Sequence, residues 1–308
     1  MEMMKNQLEI VIPTYNRAEI LKRNLNAIES EVIKYNVRLL ISDDSDNDDV
    51  LQVVNNSCVR KHITFIKNKP SLGHDANCVS ALSKSQSEYV WYLGDSLELK
   101  TGAISRIIEF IQCNEVDLLI LRRSNKNLKK IDVRLFDKEK IDIIWHLTLS
   151  GASIYRNQIM KKYLPYAINN KNFPQAYISC KVLEASNNIY YLGSVTLLPS
   201  SLKKQSYWKS NLLEVFGYDW SSLINSLSGL SRSEKKRVKR SHSKNTGIFG
   251  LRKIFEYHCD RSLTLKSVYQ NKSIVAEVSH INIAIIFLVL MFPRVLIRAI
   301  LKIKGVVV

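Results

Sequence analysis

Residues Tyr89–Glu98 read Tyr-Val-Trp-Tyr-Leu-Gly-Asp-Ser-Leu-Glu, and the predicted fold is built outward from this stretch. Its first five residues are apolar or aromatic, and Gly94 and Asp95 follow directly. Such a run predicts a strand that is buried on both faces and ends abruptly. Ligands of open α/β sheets bind just beyond the carboxyl ends of strands, so Asp95 is expected at the mouth of a site. A carboxylate there can hold a ribose hydroxyl or a metal ion on a diphosphate, whereas an ordinary surface turn is the alternative.

The composition is that of a globular protein. The 308 residues are 46% hydrophobic and 24% charged, which is sufficient for a sizeable core and argues against wholesale disorder. The five cysteines are widely spaced, and no pair has the spacing of a metal or redox motif, so reduced thiols are expected. Met1–Gln7 is polar and has the character of neither a signal peptide nor a transit peptide.

The net charge of +17 is distributed unevenly along the chain. Residues 199–308 contain 19 lysines and arginines against 6 acidic residues, a net charge of +13. The first 198 residues contain 26 against 22, a net charge of only +4. An anionic partner of the C-terminal third could be nucleic acid or an acidic membrane surface, and the alternative is a charged surface that meets only solvent.

Strands and helices alternate along the first 113 residues. Strands are predicted at Leu8–Ile12, Val37–Ile41, His62–Ile66 and Tyr89–Leu93, and each precedes a segment with helical periodicity. Such alternation with short links is typical of a parallel sheet wrapped by helices, so we predict an α/β fold with a mostly parallel sheet. No G-x-G-x-x-G motif follows the first strand, which removes the main support for a Rossmann dinucleotide site.

Three of these strands end in polar residues, and parallel strands bring such ends to one edge of the sheet. That edge is expected to carry Tyr15, Arg17, Asp43, Asp44 and Asp95. An aromatic ring against a base, carboxylates on the base or ribose, and a cation on phosphate together predict a nucleotide pocket. Each residue alone also has a structural explanation, as a packed ring, a surface charge or part of a helix-capping loop. Their coincidence at three successive strand ends favours the pocket.

Three motifs at these strand ends resemble those of family-2 glycosyltransferases, which have the GT-A (nucleotide-diphospho-sugar transferase) fold. Pro-Thr-Tyr-Asn-Arg at 13–17 is similar to the family's opening P-x-Y-N-R, and Ser-Asp-Asp-Ser-Asp at 42–46 is similar to its D-D-G-S turn. Leu-Gly-Asp-Ser at 93–96 lies where the D-x-D motif belongs. The resemblance covers about Leu8–Ile111. Gly-His-Asp-Ala-Asn at 73–77 also resembles the G-x-D-x-N helix start of the branch that includes abequosyltransferase-like O-antigen enzymes.

The resemblance implies a nucleotide-sugar donor at this edge of the sheet. It places Tyr15 against the base, Asp44 on the base or ribose, and Asp95 near the ribose and diphosphate. Asp75 and Asn77 would also face the donor, although capping of their helix is the alternative. The full set of donor-binding candidates is Pro13, Thr14, Tyr15, Arg17, Asp43, Asp44, Asp75, Asn77, Gly94, Asp95 and Ser96.

The D-x-D motif is degenerate in this chain, which bears on the use of Mg²⁺ or Mn²⁺. In a full motif the outer carboxylates carry the metal role, and here those positions are Gly94 and Ser96. Leu97 occupies a position that is often acidic in the same branch. Asp95 and Ser96 are the candidate metal ligands, but a serine hydroxyl is a weaker, neutral ligand. The alternative is a metal-independent enzyme in which lysine or arginine neutralises the leaving group.

The sequence does not identify a catalytic base. Residues 151–156 resemble the acceptor-side strand that precedes the catalytic helix of the family, and inverting members usually carry a Glu-Asp pair soon afterwards. Here residues 172–177 read Asn-Phe-Pro-Gln-Ala-Tyr, and the amide of Gln175 cannot take a proton from an acceptor hydroxyl. Gln175 is therefore predicted to orient the acceptor, or merely to begin the helix that Pro174 starts.

The C-terminal third combines cationic and apolar segments. Seven cations lie between residues 232 and 244, Ile281–Pro293 is uncharged and strongly apolar, and Arg294–Lys304 is basic and amphipathic. Pro293 and Arg294 end the apolar run short of the roughly 20 residues that a spanning helix needs. We therefore predict an in-plane helix pair at about 281–304 on an anionic membrane surface, with a single tilted span or a buried core helix as alternatives. The basic run has no interleaved aromatic residues, which makes nucleic acid the less favoured partner.

The sequence thus predicts a GT-A domain at 1–200 and a helical, basic region at 201–308. The resemblance implies a peripheral or monotopic glycosyltransferase at the cytoplasmic face of the membrane. It further implies transfer from a nucleotide-diphosphate sugar to a hydroxyl of a lipid-linked oligosaccharide, typically on polyprenyl diphosphate, in O-antigen or capsule synthesis. The alternatives are a non-catalytic GT-A-like binding or scaffold protein, which the missing carboxylates support, and a basic nucleic-acid-binding protein.

Overall fold

The structure is a computed structural model that describes residues 7–124, 128–202 and 207–303. The chain divides into two compact units, Met1–Lys204 and Gln205–Val308. The first unit contains the sheet with its covering helices, and the second is helical throughout its described part.

Four parallel strands form the N-terminal half of the sheet. They are β1 (Leu8–Thr14), β2 (Arg38–Asp43), β3 (Ile63–Lys67) and β4 (Tyr89–Tyr92), in the spatial order β3-β2-β1-β4. The helices between and after them are α1 (Ala18–Tyr35), α2 (Asp49–Asn55), α3 (His74–Ser83) and α4 (Ala103–Cys113). β1 and β4 are almost wholly buried because helices cover both faces of the sheet, which explains why their sequences are continuous apolar runs.

The second half of the sheet mixes strand directions. Its strands are β5 (Leu97–Glu98), β6 (Leu118–Arg123), β7 (Asp132–Arg134), β8 (Ser153–Arg156) and β9 (Ile189–Pro199), and its helices are α5 (Asp137–Ile143), α6 (Asn157–Ala167) and α7 (Pro174–Ala185). The described strands follow the order β3-β2-β1-β4-β8-β6-β9-β5, and β7 pairs with β9. The predicted α/β class is confirmed, but the sheet is mixed rather than mostly parallel, because β8 runs antiparallel between β4 and β6.

The strand directions define one functional edge of the sheet. Because β4 and β6 are both antiparallel to β8, they run parallel to each other and in the direction of β1 and β2. These four strands therefore end on the same side, at Thr14, Asp43, Tyr92 and Arg123. We call this side the carboxyl edge.

Helix α1 fixes the start of α4 through a buried carboxylate. Glu31 accepts hydrogen bonds from the backbone N–H groups of Gly102 and Ser105, each at 2.8 Å. These groups belong to the first turn of α4, where the N–H groups have no partner within the helix and the helix dipole favours a negative charge. α4 then buries Ile104, Ile107 and other residues at helical spacing against the sheet.

The second unit consists of short helices. A π-helical turn at Glu214–Asp219 precedes α8 (Trp220–Ser226), α9 (Arg232–Thr246), α10 (Leu251–Cys259), α11 (Leu265–Gln270), α12 (Lys272–Val278), α13 (Ile283–Met291) and α14 (Arg294–Ile303). The basic run lies on α9, and Lys239 within it is buried and paired with Glu277 and Asn225. The neighbouring His242 stacks on Phe216 with ring centroids 5.1 Å apart. One face of α9 therefore belongs to the core of this unit.

The apolar C-terminal segment forms two helices instead of one. α13 ends at Met291 and α14 begins at Arg294, so the single tilted span considered as an alternative is not formed. No single helix within the described ranges is long and apolar enough to cross a membrane. Taken together, α12 and α13 have sufficient length and apolar composition, but the two helices are bent by 118° relative to each other. Lys304, the last residue of the predicted segment, lies outside the described residues.

Candidate functional site

Asp95 lies at the carboxyl edge, just beyond β4, and two neighbours hold its carboxylate. Arg17 Nη1 lies 2.6 Å from Oδ1, and the Thr14 hydroxyl donates to Oδ2 at 3.1 Å. Asp95 is 5% exposed, whereas the side chain of Arg17 is 34% exposed. The carboxylate of Asp95 thereby connects the end of β4 with the end of β1, and the partly exposed guanidinium of Arg17 provides a positive charge beside it.

Side-chain hydrogen bonds from α1 hold the backbone around Asp95. Asn24 Nδ2 donates to the backbone oxygen of Asp95 at 2.6 Å and to that of Leu97 at 3.1 Å. The turn also packs tightly against the segment before β8, because a β-carbon on Gly94 would lie 3.0 Å from the backbone oxygen of Ser150. Ser96 in the same turn is buried, so its hydroxyl has little access to solvent.

Asp44 organises a second loop at the same edge. Its carboxylate accepts hydrogen bonds from the hydroxyl of Ser71 at 2.6 Å, the backbone N–H groups of Leu72 and Gly73 at 2.8 Å each, and Asn68 Nδ2 at 3.0 Å. Burial alone would raise the pKa of Asp44, but these four hydrogen bonds favour the charged form and hold the pKa below its ordinary value. Gly73 has φ +80°, a conformation that glycine adopts without strain.

The carboxylate of Asp43 binds groups of the protein itself. It is fully buried, Lys67 Nζ lies 2.8 Å from one carboxylate oxygen, and the other accepts the N–H of Ser45 at 3.0 Å. Both oxygens are therefore engaged by groups of the chain itself. Asp43 thus supports the loop after β2, and Asp44 likewise has both carboxylate oxygens engaged by the loop that contains Leu72 and Gly73.

Asn77 and Asp75 both connect segments that are distant in the sequence. The buried Asn77 accepts from the hydroxyl of Ser42 at 2.6 Å and from Asn68 Nδ2 at 3.1 Å. Asp75 lies 2.7 Å from His74 Nδ1 and accepts the backbone N–H of Asn172 at 2.8 Å. Gly73 is the N-cap of α3, and Asp75 is the acidic residue in the first turn of this helix.

Tyr15 is the exposed aromatic residue of this edge. Its side chain is 52% exposed, directly after Pro13 and Thr14 at the end of β1. The following residue, Asn16, has φ +52° and donates its backbone N–H to the Ser45 hydroxyl at 2.7 Å. The turn is thus tied to the loop after β2, and the ring is left available for stacking on a base.

The residues around Asp95 do not form a metal site as they are arranged. Mg²⁺ and Mn²⁺ prefer several oxygen ligands, but Arg17 and Thr14 occupy the two carboxylate oxygens of Asp95. Leu97 is packed into the core. No cluster of three histidine, cysteine or acidic side chains that could hold a metal ion exists among residues 7–124, 128–202 and 207–303. We therefore derive no step through a metal ion.

Gln175 lies in the first turn of α7, which begins at Pro174 as predicted. The side chain is 3% exposed, and its Oε1 atom has no hydrogen-bond partner in the described part of the chain. An unsatisfied buried acceptor costs about 1–3 kcal/mol, so a ligand hydroxyl that donated to it would recover this loss. Its backbone oxygen accepts from the Tyr155 hydroxyl at 3.0 Å.

Arg123 is a residue that the sequence analysis missed. It ends β6 at the carboxyl edge, where its backbone pairs with Leu197 of β9. Desolvation lowers the pKa of its guanidinium from the ordinary value. The nearby His146 is buried, and desolvation lowers its pKa to about 4, so it is neutral at pH 7 and adds no second positive charge beside Arg123. A cation in this position provides an attachment point for an anionic ligand.

The fold and this edge define a class. A parallel half-sheet carrying an acidic turn after β2, a buried aspartate after β4 and an exposed aromatic ring after β1 is the arrangement of a GT-A nucleotide-sugar transferase. The chain belongs to glycosyl transferase family 2, whose family model matches residues 9–185. The predicted family and enzyme class are thereby confirmed.

Two curated relatives match parts of the chain. The GalNAc(5)-diNAcBac-PP-undecaprenol beta-1,3-glucosyltransferase of Campylobacter jejuni is 28% identical over 107 residues, which are 33% of this chain and 34% of that protein. The abequosyltransferase RfbV of Salmonella typhimurium is 23% identical over 130 residues, which are 41% of this chain and 39% of that protein. The chain thus spans less than half the length of each of these relatives.

Solved structures share the fold. Residues 1–349 of TarS from S. aureus match with a TM-score of 0.60 at 16% identity, covering 88% of this chain and 81% of that one. A complex of the same TarS fragment contains UDP-GlcNAc. The mannosyltransferase PcManGT from Pyrobaculum calidifontis, in complex with GDP-Man and Mn²⁺, matches with a TM-score of 0.57 at 11% identity and covers 97% of this chain and 79% of that one. At these identities the likeness establishes the fold.

Proposed function

We propose that this chain transfers a sugar from a nucleoside-diphosphate donor at the carboxyl edge to a hydroxyl of a lipid-linked saccharide. The observation that carries the proposal is the buried Asp95, held by Thr14 and Arg17 at the end of β4. The name of the Campylobacter relative contains an undecaprenol diphosphate, which supports a lipid-linked acceptor for this chain. The Salmonella relative is named as an abequosyltransferase, which supports transfer of a sugar by this chain.

The proposed donor pose follows the chemistry of the edge. Tyr15 stacks on the base, and the charged Asp44 accepts from the base or ribose on the loop that Gly73 closes. Asp95 accepts from the ribose beside the diphosphate. Arg17 carries the positive charge closest to Asp95, so it is placed to neutralise the diphosphate as the bond to the sugar breaks. Arg123 supplies a second cation at this edge.

The reaction is a substitution at the anomeric carbon. The acceptor oxygen forms a bond to that carbon, and the bond to the diphosphate oxygen breaks, so that the nucleoside diphosphate leaves with the electron pair. Gln175 accepts a hydrogen bond from the acceptor and orients it, because its Oε1 atom is buried without a partner among the described residues. The amide of Gln175 does not take the proton of the acceptor hydroxyl, which passes to water or to the departing diphosphate, and no protein group is assigned as the base.

A thermal-shift screen tests donor binding. UDP-, GDP-, dTDP- and CDP-sugars are compared with and without Mg²⁺ or Mn²⁺, and one nucleotide class is expected to raise Tm. A ligand at 100 times its Kd stabilises by about 2.7 kcal/mol, which corresponds to several degrees. The rise is expected to persist in EDTA because Arg17 occupies Asp95.

Three outcomes would contradict the proposed donor binding, its metal independence or the transfer reaction. If no donor raises Tm at millimolar concentration, the transferase proposal is wrong. Loss of the shift in EDTA would mean that a metal ion displaces Arg17 from Asp95. Donor binding without sugar release in the presence of membrane extract would favour the non-catalytic alternative.

We further propose that the second unit docks on the cytoplasmic face of the membrane as a peripheral or monotopic anchor. Around the break between α13 and α14, Met291, Phe292, Val295 and Leu296 are all more than half exposed. Clustered apolar side chains of this size are unfavourable in water and favourable at the acyl boundary. The net charge of +13 in residues 199–308 adds attraction to anionic headgroups.

Full-length Phe292→Asp/Val295→Asp is expected to bind vesicles of phosphatidylglycerol and phosphatidylcholine at least tenfold more weakly than the unchanged chain in a sedimentation assay. The reason is that burial of each apolar side chain contributes about 1.5–3 kcal/mol, and both contributions are lost. Phe136→Asp, at an equally exposed phenylalanine of the first unit, is the control. Equal binding by all three proteins would contradict the docking surface. Retained binding to nucleic acid that falls steeply with salt would instead support the nucleic-acid alternative.

A further inference from the structure

A groove with an aromatic lining lies between α6 and α7 in the first unit. It has a volume of about 380 Å³ and is lined by Tyr163, Tyr166, Tyr177, Lys181, Glu184 and Ala185. This volume is within the range of ligand sites, roughly 300–1,000 Å³. We call it the tyrosine groove. Neither the donor site nor the docking surface uses any of these residues.

The strand directions show where the groove begins. α7 begins at the carboxyl edge, because the preceding Asn172 donates its N–H to Asp75 at the start of α3. α6 begins at the opposite edge, where the N–H of Asn157 meets the backbone oxygen of Glu88 just before β4. The C-terminal end of α6 and the N-terminal end of α7 therefore lie together near the carboxyl edge. Tyr166 and Tyr177 are at this end of the groove. Gln175 precedes Tyr177 by two residues, so it is close along the axis of α7 but lies on a different face of the helix.

Tyr163, Tyr166 and Tyr177 are not among the fully buried residues of the two helices. α6 buries Met160, Leu164 and Ala167. Tyr166, by contrast, is 59% exposed, and Tyr163 and Tyr177 are only partly buried. Exposed rings around a concave surface present apolar faces together with hydroxyl groups at their rims.

The charges of the groove limit its ligand to a neutral molecule. Lys181 and Glu184 lie 2.7 Å apart, so the lining contains one positive and one negative group that neutralise each other. The lysine also lies over the ring of Tyr177, 5.9 Å from its centroid. In a chain with a net charge of +17, a site for phosphate would be expected to carry unpaired cations. Aromatic faces with a few polar groups instead match a sugar, which has an apolar face of C–H groups and a rim of hydroxyls.

We propose that the tyrosine groove binds the saccharide part of the acceptor, namely the neutral sugar units that precede the one whose hydroxyl reacts near Gln175. This inference rests on the proposed transferase function and adds to it the part of the acceptor that the chain recognises. The acceptor is then an oligosaccharide, and its sugars, rather than its lipid or its diphosphate, provide the affinity of this groove.

The test is binding of lipid-free oligosaccharides to the full-length chain by titration calorimetry. The probe is the oligosaccharide pool released by mild acid from the lipid-linked oligosaccharides of bacterial membranes. Tyr166→Ala/Tyr177→Ala is expected to weaken binding at least tenfold. Tyr166→Phe/Tyr177→Phe, which keeps both rings, is expected to retain most of it. Tyr269→Ala, at a similarly exposed tyrosine of the second unit, is the control.

Kinetics with the intact lipid-linked probe separate the possible failures. The alanine variant is expected to raise KM for this acceptor at least tenfold, with the donor-induced Tm shift unchanged. An unchanged KM together with unchanged oligosaccharide binding overturns the groove. Weakened binding of the lipid-linked probe alone also overturns it, because the groove would then hold lipid. Failure of the transferase proposal gives a different result, because no donor would then raise the Tm of any variant. Oligosaccharide binding to the groove would still be measured by calorimetry in that case.

Discussion

Asp95→Asn is expected to lower kcat/KM for glycosyl transfer by about 100-fold or more, the usual effect of removing one preorganised electrostatic contact in an active site. The asparagine keeps the shape of the side chain but loses the negative charge that holds Arg17 at 2.6 Å. Arg17 is then free to leave its position beside the proposed diphosphate, and the ribose loses a charged acceptor. The measurement is the initial rate at several concentrations of the donor selected by the thermal-shift screen.

The matched control is Asp137→Asn, an aspartate whose side chain is 100% exposed at the start of α5. Both variants are expected to unfold within a few degrees of the unchanged protein, because Arg17 is partly exposed and can be rehydrated. A loss of activity in Asp95→Asn accompanied by an equal loss in the control, or by gross unfolding, would remove the support for a role in donor binding. Full activity in Asp95→Asn would contradict the proposed site outright.

Asp44→Asn is expected to weaken donor binding at least tenfold and to lower the free energy of unfolding by about 1–3 kcal/mol. The N–H of Leu72 donates to one carboxylate oxygen and the N–H of Gly73 to the other. An asparagine has only one carbonyl oxygen, so one of these N–H groups would face an NH₂ group. The loop that closes over the proposed ribose should therefore loosen. Calorimetric donor titration and urea unfolding measure the two effects.

The low pKa of Asp44 gives this prediction a pH signature. A carboxyl group whose pKa is lower in the folded protein than its ordinary value contributes stability above that value. This contribution is lost as the pH falls through the folded-state pKa, because protonation removes the charge that the hydrogen bonds favour. The difference in unfolding free energy between the unchanged protein and Asp44→Asn should therefore be constant near neutral pH and narrow below about pH 4.

Asp46→Asn, at an exposed residue of the same turn, is the control for the pH series. It removes a charge from the same turn without removing any of the four hydrogen bonds that Asp44 accepts. A difference for Asp44→Asn that stays constant down to pH 3 would mean that the carboxylate is not stabilised by its loop.

Much of the fold was predictable because its signals are local. The strand at Tyr89–Tyr92 is a continuous apolar run closed by Gly94 and Asp95, and such a run needs no distant information. The same is true of β1 and β2, whose polar ends carry the family motifs. The predicted GT-A class and the start of α7 at Pro174 are confirmed on this basis. The direction of β8 was not predictable, because a short strand carries no local signal for its orientation.

The contacts that build the site depend on long-range convergence. Arg17 meets Asp95 across 78 residues, and Asp75 meets the backbone of Asn172 across 97 residues. No spacing rule relates such positions, so the sequence could nominate the residues but not their partners. The ion pair of Asp43 with Lys67 was not predictable for the same reason, since Lys67 lies on a different strand.

Buried charge is a further feature that a sequence pattern conceals. Lys239 belongs to a run of cations whose usual interpretation is a solvated helix face, yet it is buried against Glu277. Arg123 also lies in a charged segment of the sequence. It becomes a candidate for binding an anionic ligand only through its position at the end of β6. In both cases, packing by elements that follow much later in the chain decides the role of the side chain.

Helix α1 and the residue before it make three sets of contacts with the segment from Asp95 to the start of α4. Arg17 directly precedes it, Asn24 holds the backbone of Asp95 and Leu97, and Glu31 holds the first turn of α4. A displacement of this helix against the sheet would thus carry the cation, the turn with its carboxylate, and the start of the next helix in the same direction. The distance between Arg17 and Asp95 is consequently expected to be preserved during such a displacement, and the proposed donor site to move as one body.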